Sequence, residues 1–254
     1  MTPVFTKSPR EPRSAEAEAA GLRWLRAASP AVVEVISVDP AANTLSTALV
    51  RGVTPTPQAA RTAGRELARI HIAGAPAFGA PPPGWEGPNY IGTQVQECTP
   101  TDHWGEFYAA QRVLPFARRA QAAGNLDAEG LAAVEQAAEA VADEDWDAVP
   151  ARIHGDLWAG NLLFGEDGPA LIDPAAHGGH PETDLAMLAL FGVPFPEDIW
   201  AGYQEISALD PGFRDRFPLH QLHPLAVHAF THGPGYARPL VEAARATSRL
   251  LAGS

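Results

Sequence analysis

The segment His154-Gly155-Asp156-Leu157-Trp158-Ala159-Gly160-Asn161 runs straight into a short apolar stretch, Leu162-Leu163-Phe164. A turn signal, Gly165-Glu166-Asp167-Gly168, follows, and a second apolar stretch, Ala170-Leu171-Ile172, ends at Asp173. Two such runs around a Gly/Asp turn read as a β-hairpin. With the turn centred on Asp167, antiparallel pairing places Asn161 and Asp173 opposite each other. Directly opposed residues have Cα atoms roughly 4.5–5.5 Å apart, so both side chains reach one point in space. Asp156, a few residues upstream, faces the same cavity. A hairpin whose polar ends converge with an upstream aspartate constrains the fold more than any other feature of the chain.

The spacing D-x-x-x-x-N of Asp156 and Asn161 is that of a catalytic loop for phosphoryl transfer. In such a loop the aspartate accepts the proton of the attacking hydroxyl and the asparagine holds a magnesium ion. Asp156 is therefore the candidate base, with Asn161 and Asp173 as candidate metal ligands. Lys7 is the only lysine in the chain, and it stands on a predicted strand, Pro3–Lys7. A compact ammonium on a flexible stem suits the bridging of nucleotide phosphates, and kinases hold such a lysine with a glutamate on the next helix. Glu18 is the natural partner here and Glu16 the second choice. Trp158 has two roles open to it, stacking on a sugar ring or cationic amine or packing the loop. His154 reads as a brace for the loop. His220, His223, His228 and His232 lack a carboxylate motif of the zinc-enzyme kind and read as core or pocket-lining residues, with His228, His232 and Tyr236 as candidates for the acceptor side.

With 254 residues, 46% of them hydrophobic and 19% charged, the chain has material for a substantial core in one or two domains. A net charge of −12 and the lack of any basic run argue against a nucleic-acid surface. One cysteine, Cys98, excludes an internal disulfide, and no stretch reaches the length of a membrane span. These features predict a cytoplasmic protein with no membrane or nucleic-acid partner.

Residues 1–53 read as a small α+β unit. Its expected parts are the Lys7 strand, a helix from about Ala15 to Ala28 capped by Ser14, and a hairpin of residues 31–38 and 44–50 around Asp39–Asn43. Thr56 and Pro57 start a helix to about His71. Residues 54–254 are expected to be mainly helical apart from the catalytic hairpin. Helices are predicted over 102–123, capped by Thr101, over 128–143, and from Thr183 or Asp184 to Phe191, with two or three more beyond. The Pro/Gly-rich loop from Gly74 to Gly92 is long for a connector, which favours a functional role.

The chain resembles the fructosamine (ketosamine) kinase family, relatives of the aminoglycoside and choline phosphotransferases within the protein-kinase-like fold. The resemblance rests on Glu16 to Leu22, Asn89-Tyr90-Ile91-Gly92, His154 to Asn161, Leu171 to Ala175, Gly179-His180 and Glu182 to Ala186. It implies a two-lobed α+β fold and an enzyme that uses ATP and Mg2+ to phosphorylate a ketosamine. It further implies Asp156 as base, Asn161 and Asp173 as metal ligands, Lys7 with Glu18 as phosphate anchor, and Asp184 as a buried carboxylate steadying the loop. Trp158 and His180 become candidate acceptor contacts. The chain departs from the family pattern in two places. Only six residues precede Lys7, where the family has two strands and a phosphate-covering loop, so the expectation is either a truncated small lobe or a start further upstream. Ala176-His177-Gly178 and Pro181 stand where the family has aromatic residues and an arginine, at positions bordering the acceptor pocket. The remaining alternatives are a phosphotransferase for another small alcohol, such as an aminoglycoside, choline-like or amino-sugar acceptor, and a nucleotide-binding pseudokinase.

Overall fold

Runs rich in β-branched residues on either side of the Asp39–Asn43 turn give two strands of the first sheet. The computed structural model describes residues 3–253. In it β1 (Val4–Lys7), α1 (Ser14–Arg26), β2 (Val35–Asp39) and β3 (Thr44–Ala48) follow one another, and β3 lies between the other two strands. β1 pairs antiparallel with β3 from Val4↔Ala48 to Lys7↔Leu45. The inner side of α1 buries Ala15, Ala19, Leu22 and Leu25. Ser14 is not its cap. Arg13, in a left-handed conformation, occupies that position, and the Ala15 N–H donates instead to Asn43 Oδ1 at 3.2 Å. The same Asn43 donates through Nδ2 to the carbonyls of Pro9 and Glu11, so the hairpin turn ties down the segment between Lys7 and α1.

α2 (Pro57–Ile72) begins as its sequence predicts, with Pro57 in the first position and Thr56 accepting the Ala59 N–H at 3.2 Å. A small hairpin, β4 (Asn89–Ile91) and β5 (Gln94–Gln96), projects from the long loop. The helix expected over 102–123 is divided. α3 (Trp104–Phe107) passes through a π-helical stretch, Tyr108–Val113, into α4 (Leu114–Ala122). Pro115 can neither donate a helical hydrogen bond nor tolerate the carbonyl one turn back, and widening the preceding turn is how the helix continues. Thr101 pairs with Phe78 as a β-bridge rather than capping α3. α5 (Ala128–Asp143) matches its prediction, with Asp127 accepting the Gly130 N–H at 2.7 Å.

After α5 the chain forms β6 (Ala151–Ile153), residues 154–161 (the predicted catalytic segment), β7 (Leu162–Gly165), β8 (Gly168–Leu171) and β9 (His177–Gly179), with β6 paired to β9 and β7 to β8. Four helices complete it: α6 (Pro181–Leu190), α7 (Pro196–Gln204), α8 (Phe217–His232) and α9 (Ala237–Ala252). α2 and α7 approach so closely that a Cβ on Gly64 would come within 1.9 Å of the Ile199 carbonyl oxygen. No described helix is long and apolar enough to cross a membrane.

Two apolar cores result. One joins Leu22, Leu45, Leu67, Leu162, Leu171 and Ile199, drawn from the sheet, α1, α2, the β7–β8 hairpin and α7. The other joins Trp104, Phe116, Val134, Leu222 and Leu240 from the remaining helices. Full burial of a leucine such as Leu22 or Leu222 stabilises by roughly 1.5–3 kcal/mol. Leu157, between β6 and β7, belongs to the first core, and Ala175, between β8 and β9, belongs to the second.

Candidate active site

Asp184, in the first turn of α6, fixes the backbone of the catalytic segment. Its carboxylate is fully buried and accepts the His154 N–H at 2.7 Å and the Gly155 N–H at 2.9 Å. His71 Nε2 lies 3.0 Å away, and its Nδ1 lies 2.9 Å from the Tyr203 hydroxyl. Burial opposes the ionised form, but the His71 ring, then the His154 ring and the His154 amide, outweigh it and hold the carboxyl below its ordinary range. His154 is buried as a brace, with Nε2 2.8 Å from the Ile172 carbonyl and Nδ1 accepting the Asp156 N–H. Sequence reasoning missed His71 and Tyr203. The available signal was a histidine on the same apolar side of α2 as Leu67 and Ile70.

On this support stand the cleft residues. Asn161 Nδ2 donates to the Asp156 carbonyl at 2.8 Å and lies 3.3 Å from Asp156 Oδ2. That leaves Asn161 Oδ1 as the atom available to a cation. Lys7 Nζ lies 2.7 Å from Glu18 Oε2 and 2.8 Å from Asp173 Oδ1. Burial alone would lower the Lys7 pKa, but Glu18 and Asp173 outweigh it and raise it. Burial pushes Glu18 up to about 7, against the pull of Lys7 and with Asp173 adding to the rise. Asp156 rises to about 8, through burial first and then through Asp173 and Asp184. Two carboxylates thus share one ammonium, and a third, that of Asp156, stands beside them without one. That surplus of negative charge, lined with oxygen donors, fits a magnesium ion between Asn161 and Asp173.

The hairpin register differs by one from its expectation. Leu162 pairs with Leu171 and Gly165 with Gly168, so the turn is the two residues Glu166-Asp167 and Asn161 lies beside Ile172, not opposite Asp173. Asp173 enters the cleft by another route, a left-handed backbone at φ 53°. Aspartate is among the few non-glycine residues that adopt this conformation with little penalty, and such positions cluster at functional sites.

The cleft has two chambers that meet at Asp156, Trp158, Gly92 and Thr93. The smaller, of about 350 Å³, holds Lys7, Glu18, Asn161 and Asp173. The larger, of about 600 Å³, runs between α6 and α8. The Trp158 indole lies across Gly160, where a Cβ would come within 2.2 Å of the ring, and it remains 42% exposed to both chambers. His228, His232 and Tyr236 line the larger chamber. His180 is the one predicted site residue that the structure does not bring to the cleft. It caps α6, with Nδ1 accepting the Glu182 N–H at 3.2 Å, and packs on the rings of Trp104 and His220. The helix therefore starts at Pro181, not at Thr183 or Asp184. Burial, helped by His220, drives the His180 pKa down to about 3, which keeps the ring neutral and able to accept. His180, Glu182 and His220 come together. However, Arg216 donates to both Glu182 oxygens, at 2.8 and 2.5 Å, so a cation there would face a guanidinium.

Fold and cleft together define a protein-kinase-like architecture. The choline kinase of Streptococcus pneumoniae shares it at a TM-score of 0.60 and 13% identity, over 98% of this chain and 86% of that one. The chain belongs to the fructosamine kinase family, whose profile matches residues 3–252. A crystal structure of a candidate fructosamine-3-kinase from Thermobifida fusca superposes with a TM-score of 0.89 at 45% identity, covering 98% of this chain and 86% of that one. A probable ketoamine kinase of Synechocystis is 38% identical over 179 residues, 68% of this chain and 57% of the relative. The match spans about three fifths of the length of such relatives.

Proposed function

We propose that the protein is an ATP-dependent kinase that transfers the γ-phosphoryl group to a hydroxyl of a ketosamine. The observation that carries this reading is the convergence of Asp156, Asn161, Asp173 and the Lys7–Glu18 pair on one cleft. Magnesium, when bound, neutralises charge on the phosphates and on the oxygen leaving the γ-phosphorus. Asn161 and Asp173 would hold it. Lys7, steadied by Glu18, would hold phosphate oxygens in the smaller chamber. Asp156, between the chambers, would accept the hydroxyl proton as the acceptor oxygen bonds to phosphorus and the bond to the β–γ bridging oxygen breaks. Asn161 and the Asp184-anchored amides fix the orientation of Asp156, which is the form catalysis by positioning takes. The acceptor would occupy the larger chamber, against Trp158.

The reading divides the chain into a small unit ending near residue 53 and a larger one from residue 54, with the cleft between them. It also places the enzyme in the cytosol, where ATP is at hand and a free thiol such as Cys98 stays reduced. The test is turnover of a fructosyl-amine with Mg2+ and ATP, by the wild type and by Asp156→Asn. The variant is expected to fold and to lose about 10²–10⁴ in kcat. Turnover within threefold of wild type would remove Asp156 from the reaction.

A further inference from the structure

One wall of the larger chamber is a run of rings. Phe191 and His228 have centroids 4.8 Å apart, His228 and His232 lie 4.8 Å apart at 18°, and His228 and Tyr236 are 4.9 Å apart. Phe191, His228 and Tyr236 are half-buried and His232 is exposed, so the run leads from the interior toward the mouth. Asp156 supplies the only carboxylate in the lining, and neither lysine nor arginine contributes to it. The His228 Nδ1 lies 2.8 Å from the Pro224 carbonyl, which fixes the proton on that nitrogen, and burial favours the neutral ring. The wall is therefore flat and polarisable, and it carries no lysine, arginine or carboxylate side chain.

The sugar of a ketosamine must present its hydroxyl at Asp156, beside Trp158. A volume of about 600 Å³ is that of a pocket for a drug-sized ligand, which leaves the outer part for the substituent on the amine. One ammonium, next to the sugar, can face the Asp156 carboxylate and the Trp158 ring. A second ammonium farther out would meet no counter-charge, and attraction to ring faces does not replace the hydration it gives up. An apolar ring or branched chain loses nothing there and gains contact area with every ring of the wall.

Resting on the ketosamine reading above, we propose that the acceptor carries an uncharged, apolar amine substituent, aromatic or branched aliphatic, which stacks on Phe191, His228 and Tyr236. Polyamine adducts and polycationic aminoglycosides are poor acceptors. The test compares kcat/KM for three 1-deoxyfructosyl adducts, of benzylamine, glycine and spermidine, with wild type and with Phe191→Ala and Tyr236→Ala. The benzylamine adduct is expected to exceed the other two by roughly tenfold or more, the scale on which apolar pockets discriminate. That ratio is expected to shrink to within threefold in the variants. Equal kcat/KM for the three adducts, or preference for spermidine, overturns the stacking proposal and leaves the ketosamine reading intact. Turnover of an unglycated alcohol and of none of the three adducts overturns the ketosamine reading, and this one with it.

Discussion

Asp184 and Asp173 both touch residues 154–161, but in opposite surroundings. Asp184 is fully buried, and the protein meets its needs with two backbone amides and the His71 ring. Asp173 is half exposed and shares Lys7 with Glu18, while Asp156 stands beside them without a cation of its own. The buried Asp184 is saturated by the protein; the cleft carboxylates, which the proposed function makes the reacting groups, are left unsaturated, with charge in reserve for a ligand. Asp184 should therefore govern stability, and Asp173 ligand binding.

The largest expected effect comes from breaking the anchor. Asp184→Ala strands the His154 and Gly155 amides and the His71 ring in the interior. Removing one partner of such a buried network costs about 3–5 kcal/mol, which for a chain of this size lowers Tm by roughly 6–20 °C. Scanning calorimetry without ligands reads this directly. A Tm within 2 °C of wild type would mean that the segment holds its shape without Asp184.

Next in size is the pH response, to which the two regions contribute with opposite sign. Asp156 and Glu18 have folded-state pKa values of about 8 and about 7, above their ordinary values. The fold therefore takes up protons that the unfolded chain does not, and stability rises as pH falls from about 8.5 to 6.5. The buried rings of His154, His177, His180, His220 and His223 all have pKa values lowered by burial. Below about pH 6.5 the unfolded chain takes protons that the fold refuses, and each ring removes up to about 1.4 kcal/mol per pH unit. The loss at His180 continues toward its folded value of about 3. Five histidines outnumber two carboxylates, so the ligand-free Tm should peak at about pH 6–7 and fall on both sides. A Tm that climbs steadily to pH 8.5 would show that the cleft carries no surplus charge.

The sequence disclosed the parts of this arrangement better than their geometry. Lys7 stood out as the single lysine, Glu18 by its place on the next helix, and Thr56-Pro57 by capping chemistry that acts within a few residues. The catalytic hairpin was equally legible, because its apolar runs and turn are local. Its register was not. Pairing Gly165 with Gly168 instead of centring the turn on Asp167 shifts every partner by one, and composition alone does not choose between the two. The left-handed Asp173 follows from that shift and restores the convergence that the simpler register had predicted. His180 was misplaced for a different reason. Its neighbourhood, Trp104 and His220, comes from distant parts of the chain, and only tertiary packing turns it into a helix cap. The same holds for His71 and Tyr203, which meet across the close α2–α7 crossing.

The smallest expected effect on stability is also the most direct test of the comparison. Asp173→Ala removes one of the two carboxylates paired with Lys7 and leaves the Lys7–Glu18 pair in place. A half-exposed ion pair is worth about 0–1 kcal/mol, and its loss is offset by relief of Asp156 and Glu18, which Asp173 pushes up. Tm without ligands should stay within about 3 °C of wild type, while calorimetric titration with Mg2+ and ATP should show binding lost or weakened by at least tenfold. Unaltered Mg2+-dependent ATP affinity in that variant, or a fall in Tm as large as that of Asp184→Ala, would contradict the account.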